Sequence, residues 1–431
     1  MNNKRSTVDK KLKLYIPRMS YSGARITAAT FQSIGIEAHP SPVSDARTLE
    51  LGAKYISGDE CLPEKVTLGN FLKIIEDESF DPETTAFLLP TAGGPCRFGQ
   101  YQPLFRKVMR DKGYSDVKIF SPTSDNGYEG FGDQAGHLTH VYWNAVVSCD
   151  ILRKMQLRIR PYALEREMAN EVFHAGLDDL CNAIAEPGGS VASKRKNMRA
   201  ALIRARDNYR RIPADYSQPK PIIGIVGEIY CRLNEFSNDY LVNKIEEHGG
   251  EAWMTDVAEW VWYTNDEQRL RLIRKGKRYS LDMLKAYVKY KVQKRDEHYL
   301  YAPFKDDFRG YEEPESVKIV TEYSRPYLPQ EGALGEMVLN VGKSIYLYNK
   351  GVDGIIDVSP FSCMNGIVCE AVYPQVSAAH DSFPIRIFYY DGVQTDLDRD
   401  IGIFMELVKT YNRRKKIQRR LPSGFDGAVA A

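Results

Sequence analysis

The residues of this chain with most chemistry to offer are its seven cysteines. Their odd number and the lack of any C-x-x-C pair fit neither a disulfide framework nor a zinc-ribbon or thioredoxin-like motif. In a reducing compartment they read as thiols or metal ligands. Three of them lie in turns rich in glycine or proline. Cys96 stands in TAGGPCRFGQY after an apolar run at 86–89, Cys363 in DVSPFSCMNGIVCEA after a run ending at Val358, and Cys61 in SGDECLPEK just ahead of Pro63. A strand, such a turn and then a helix let the backbone approach a bulky ligand and offer free amides to negative charge. A helix N-terminus also lowers a thiol's pKa toward the thiolate that binds iron. A buried cysteine is otherwise a common small hydrophobe, which accounts for one cysteine more easily than for three in corresponding places. Spacing by itself leaves both readings open. Cys149 and Cys181 sit within helical periodicity, where packing is the default. Cys369 falls inside the helix after Cys363, and Cys231 follows a strand end in GEIYCRLNEF, where it could face the same crevice. None of these four is expected to be a ligand.

A second constellation is polar. Glu228 and Tyr230, with Arg232, Asn234 and Asn238, end the first strand of the second half, and Ser124, Asp125 and Tyr128 in TSDNGYEGFG follow the last strand of the first half. Glu228, Tyr230, Ser124 and Asp125 are the candidates for positioning substrate or bonding the surroundings of a cluster. For Ser124, Asp125 and Asn238, turn and helix-cap chemistry is the competing account. His137 and His140 share a helix face, but no further ligand stands near them in sequence, which favours a solvated or capping role. No G-x-x-x-x-G-K-[ST], G-x-S-x-G or H-E-x-x-H motif is present, so these sequences point to no P-loop, serine hydrolase or zincin site.

The elements that must position these residues follow an α/β rhythm. Short apolar runs at 12–16, 36–38, 86–89 and 117–120 alternate with helical patterns over residues 1–130, as in a Rossmann-like parallel-sheet domain carrying Cys61 and Cys96. Residues 131–216 read as long helices without a strand, a helical bridge. Residues 217–412 resume the alternation as a second Rossmann-like domain carrying Cys363, with a helical and loop insertion at 265–350. Its first strand is read through IIGIVGEIY and its next helix over 238–248, capped by Gly249 and Gly250. Residues 413–431, with the run RRKKIQRR, read as a basic, disordered tail.

A chain of 431 residues with 43% hydrophobic and 27% charged residues is ordinary for a globular protein of two or three domains. The longest apolar runs fall far short of the roughly 18 residues of a membrane span, and the Lys-rich N-terminus has no apolar segment behind it. The expected location is cytoplasmic. Net charge is only +2, gathered at 4–13 and 413–420, and without aromatic residues in the basic run nucleic acid is not the expected partner.

The motifs DECLPEKVTLGNF, LLPTAGGPCRFGQY, RIRPYALERE, GEIYCRLNEFSN, EWVWYTN, SPFSCMNGIVCEA and YYDGVQTD run in order between residues 15 and 411. They resemble the acyl-CoA dehydratase activase-related proteins. These are similar to the C-terminal region of large CoA-substrate-specific enzyme activases and, distantly, to 2-hydroxyacyl-CoA dehydratase subunits. The resemblance implies Rossmann-like domains with helical additions and an oxygen-sensitive 4Fe-4S iron-sulfur cluster on Cys61, Cys96 and Cys363, with one iron left open. It implies anaerobic metabolism and electron transfer from a separate ATP-dependent activase, the ATPase module of the large relatives not being in this sequence. The substrate would be an acyl-CoA or another small molecule, turned over in a 2-hydroxyacyl-CoA dehydratase-like or ATP-dependent reductase system as a homo- or hetero-dimer. The chain departs from the family at Asn365, where proline is usual, and at Cys231, where an aliphatic residue is usual. A double cubane needs about six thiolates, and only three strong candidates are present. Two other readings compete: a non-catalytic scaffold or regulatory subunit of such a system, and a metal-free CoA or nucleotide binder.

Overall fold

The computed structural model describes residues 12–93, 96–123, 129–331, 335–393, 396–422 and 425. It is an α/β molecule with two four-stranded, all-parallel sheets. The first half runs β1 (Lys13–Ile16), α1 (Tyr21–Gln32), β2 (Glu37–Pro40), α2 (Ala46–Ala53), α3 (Leu62–Ile75), β3 (Thr85–Leu88), α4 (Tyr101–Asp111) and β4 (Lys118–Phe120). The sheet order is β2-β1-β3-β4, with Leu14 beside Ala38 on one side and Ala86 on the other. Ser20 caps α1 by accepting from the Gly23 amide, and Asp45 with Thr48 forms a capping box on α2. The core of this sheet is aromatic: Phe87 lies 4.8 Å from Phe71 and 5.0 Å from Phe105, ring centre to ring centre.

Three long helices follow: α5 (Ala135–Ile159), α6 (Arg166–Ala185) and α7 (Val191–Tyr209). The middle and end of α5 are apolar or buried on nearly every side, which suits a helix enclosed by neighbours. Its residues share one apolar core with Ile26 and Ala29 of α1 and with Ile222 and Trp253 of the second half. Lys194 of α7 is buried and donates from Nζ to the Ile184 carbonyl at 2.9 Å, satisfying the C-terminal end of α6.

The second half comprises β5 (Ile222–Gly227), α8 (Ile229–Leu233), α9 (Leu241–Glu247), β6 (Glu251–Met254), α10 (Val257–Arg274), α11 (Leu281–Tyr301), α12 (Val317–Ser324), α13 (Met337–Asn349), β7 (Gly354–Pro360), α14 (Met364–Ala379), β8 (Ile385–Tyr390) and α15 (Leu397–Arg414). Its order, β6-β5-β7-β8, repeats that of the first sheet, with Ile225 beside Met254 and Ile356. Every residue of β5, β6 and β7 is buried, as in central strands covered on both faces.

Two expectations are corrected. The run IIGIVGEIY is not one strand. Gly227 turns to φ +119°, where an added Cβ would meet the Val358 backbone at 2.2 Å, so the strand ends and Ile229 and Tyr230 begin α8. The excursion before β7, read as a helical and loop insertion, ends in an almost wholly buried helix, α13. The basic run is not a free tail in its described part. Lys415 pairs with buried Asp353 at 2.7 Å and Arg419 with fully buried Glu251 at 3.1 Å, while Phe425 packs edge to face on Tyr162 and Tyr216. Acidic groups sealed under the tail hold it, a cause no local reading of the run contains. Among the described residues no helix is long and apolar enough to cross a membrane.

Candidate functional site

In both sheets the central pair of strands, β1 with β3 and β5 with β7, sends its connections to opposite edges, leaving a crevice at the strands' carboxyl ends. The three singled-out cysteines stand at helix starts around these crevices. Cys61 is the extended residue preceding α3, Cys96 precedes the 3-10 turn Arg97–Gln100 that leads into α4, and Cys363 precedes α14. Cys61 is buried, Cys363 half-buried and Cys96 exposed.

Arg97 ties these turns to one another. Its Nη1 donates to the Asp59 carbonyl at 2.6 Å, two residues before Cys61, and to Ser362 Oγ at 3.1 Å, next to Cys363. Its Nη2 donates to the Ser362 carbonyl at 3.1 Å and reaches the Phe361 carbonyl at 3.4 Å. Ser362 itself is held at φ +58°, a left-handed conformation unusual for a residue with a side chain. The Cys61 sulfur meets the buried Tyr101 hydroxyl at 2.8 Å, at the first residue of α4. One guanidinium and one phenol thereby join the segments of all three cysteines. The halves also meet where Asn234 Nδ2 donates to the Arg18 carbonyl at 2.9 Å.

Burial is the largest influence on each thiol. It pushes Cys61 up to about 12, against the Tyr101 hydroxyl and the Glu64 amide, and Cys363 up to about 11, against the Gly366 and Asn365 amides. Cys96 is raised as well, with the Phe98 amide opposing. Each sulfur therefore has helix-start amides that favour its thiolate, in a pocket that penalises the charge until a cation arrives. Cys231 is fully buried in α8, within electrostatic reach of Cys61 and Cys363. Cys149 and Cys181 are packed in the helical core, and Cys369 is buried against α13.

Acidic side chains surround the turns. Glu228 caps its own helix, accepting from the Tyr230 amide at 3.0 Å and the Cys231 amide at 2.8 Å. Glu336, at the start of α13, accepts from the Ile229 amide at 3.0 Å. Burial raises both carboxyls, and the charge of Glu228 helps to push Glu336 well above the carboxylate range. Glu64, in the first turn of α3, is raised to about 7 by burial, and neither of its carboxyl oxygens has a hydrogen-bond partner. A narrow cavity beyond β5 has Arg232, Thr255, Glu259, Glu336, Asn340 and Lys343 in its lining, together with Val226, Trp260 and Leu339. Arg232 donates to Thr255 Oγ1 there.

Of the other expected site residues, Tyr230 is buried beneath this region. Asn234 and Asn238 hold turns: Asn234 Oδ1 accepts from Ser237, and Asn238 Nδ2 donates to the Cys231 carbonyl at 2.9 Å. Ser124, Asp125 and Tyr128 lie outside the described residues. His140 bonds Asp296 at 2.6 Å in a structural pair. Arg97, Tyr101, Glu64 and Glu336 had not been singled out. The first three stand in the cysteine motifs and were open to notice, whereas Glu336 stands in a stretch without periodicity.

Among the described residues no three His, Cys, Asp or Glu side chains are grouped to hold a single metal ion. Neither a scan against protein-family models nor a search of curated proteins found a match to this chain.

Proposed function

We propose that this chain is an iron-sulfur redox protein: Cys61, Cys96 and Cys363 hold a 4Fe-4S cluster that receives low-potential electrons from a separate ATP-dependent activase, for dehydration or reduction of an acyl-CoA or a related small molecule. The observation that carries the reading is the linkage of three cysteine turns through Arg97. Helix-start amides behind each sulfur, and the place of the turns at the carboxyl ends of the parallel strands, support it further. The donor set suits such a group, because three free thiols stand in turns tied to one another.

When bound, the cluster would supply one-electron chemistry at an iron not taken by a thiolate. This chain's own residues would do the rest. Tyr101 orients Cys61, Arg97 holds the turns in register, and buried Glu336, its carboxyl raised well above the carboxylate range, keeps a proton beside the crevice. Burial of Cys61 limits water at its sulfur, whereas Cys96 lies open to solvent.

Anaerobic reconstitution tests the reading. About four irons and four sulfides per chain are expected, with a visible charge-transfer band, and Cys96→Ser, Cys61→Ser and Cys363→Ser should each lose most of that iron. A colourless protein free of iron after reconstitution would end it. If iron binds but Cys363→Ala leaves a partner's turnover unchanged, the chain acts as a scaffold or regulatory subunit instead.

A further inference from the structure

The hairpin of α10 and α11 leaves the body of the molecule, and none of residues 267–292 is buried. Its base is well held: Trp262 and Tyr290 stack edge to face at 5.3 Å, Arg269 lies 4.9 Å over Tyr290, and Asn265 Nδ2 donates to Gln293 Oε1 at 2.9 Å. A helix turns about 100° per residue, so the half-buried residues Met283, Ala286 and Tyr290 share the side toward α10. Leu281, Leu284 and Val288 then form a second apolar stripe on the opposite side. They are 75%, 57% and 52% exposed. Steps of three and then four residues match a helix-to-helix seam, and apolar side chains left together in water mark a surface that something covers.

Charge selects the occupant. Residues 271–291 carry eight Lys or Arg side chains and the single acid Asp282, in a chain whose whole net charge is only +2. On the helical wheel Lys285 and Lys289 border the stripe on one side and Lys291 on the other. A second copy would set lysine against lysine, which opposes pairing. Nucleic acid would answer the charge and leave the stripe uncovered. A membrane surface calls for a broad, strongly apolar face, whereas here three aliphatic side chains and the half-exposed Tyr287 share the outer side of α11 with Lys285, Lys289 and Lys291. We infer that the outer face of α11 docks a helix of another protein, one whose own apolar stripe is flanked by Asp or Glu.

The probe is a labelled synthetic helix with Leu at heptad positions a and d and Glu at the flanking positions, titrated into the full chain by fluorescence anisotropy. Saturable binding is expected, weakened at least about tenfold by Leu284→Glu and by Val288→Glu. It should also weaken with salt, and less steeply in the Lys285→Glu, Lys289→Glu double variant. Circular dichroism should be unchanged in all variants, since the replaced side chains lie outside the core. Absence of binding, or binding indifferent to Leu284→Glu, would overturn the inference. So would a concentration-dependent dimer in sedimentation that Leu284→Glu abolishes, or binding to phosphatidylserine vesicles or a single-stranded oligonucleotide in place of the peptide.

Discussion

The two sheets share a strand order and differ in what they do with it. In the first, the helix entering the inner strand β3 starts at Cys61, and the turn leaving that strand carries Cys96. In the second, the helix entering the equivalent strand β7 starts at Glu336, and the turn leaving it carries Cys363. One topology thus supplies the same two helix starts twice, and residue type decides whether each offers a thiol or a carboxyl. The interiors differ as well. The first sheet is filled by Phe71, Phe87 and Phe105, whereas the second half seals ion pairs beneath α5, α10 and α13. Lys343 bonds Glu259 at 2.7 Å and also Glu313, and Lys154 bonds Glu313 and reaches Asp256 at 3.3 Å. An aromatic core is indifferent to pH and tolerant of volume-conserving exchange. A buried ionic core is neither.

The sharpest way to break the contrast is Lys343→Ala. It would leave Glu259 and Glu313 without their shared cation in a buried site, and a loss of about 3–5 kcal/mol in urea unfolding is expected. A cost near zero would mean that the network adds nothing to the second half. Acid tests the same pairs. The two lysines hold Glu313 down to about 2, against burial. Its folded pKa lies below the unfolded carboxylate value, so its stabilisation is complete above roughly pH 4.5 and is lost as pH falls toward 2. Melting temperature should drop through that window, and the drop should shrink in Glu313→Gln.

In the first sheet the matching exchange is Phe87→Leu, which removes ring contacts with Phe71 and Phe105. A cost of about 1–3 kcal/mol is expected, with the same value at pH 7 and pH 5. A pH-dependent cost would show that the aromatic core is coupled to a titrating group, against the contrast drawn above.

The alternation of runs and helices made both sheets readable, because strands buried on both faces are mostly apolar, as in Ile222–Gly227 and in Gly354–Pro360 apart from Asp357 and Ser359. Cys61 was legible as a helix start through Pro63, and Cys96 and Cys363 through the turns after their strands. What escaped depended on distant partners. Ile229 and Tyr230 have strand-like side chains, and only the close approach of Gly227 to Val358 diverts them into α8. Lys415 and Arg419 look like any solvated basic run until Asp353 and Glu251 are seen beneath them. Arg97 reads as one more surface cation, since its acceptors at Asp59 and Ser362 come from segments far apart in the chain.

The smallest expected effect bears most directly on the paired helix starts. Glu336 occupies the place that Cys61 holds in the first half, but its carboxyl is raised far out of the ionised range by burial and by the neighbouring Glu228. A buried acid that is neutral in the folded state resembles an amide in charge, shape and accepting power. Glu336→Gln keeps an oxygen for the Ile229 amide, so it should change stability by less than about 1 kcal/mol at pH 7. Iron content after reconstitution should also be unchanged, because the thiols are untouched. What glutamine cannot do is release a proton. If Glu336 keeps protons at the crevice, turnover with a reducing partner should fall while iron and fold are retained. If instead Glu336 is ionised and paired with Arg232, the exchange should destabilise the protein by several kcal/mol, and the likeness between the two helix starts would be one of position alone.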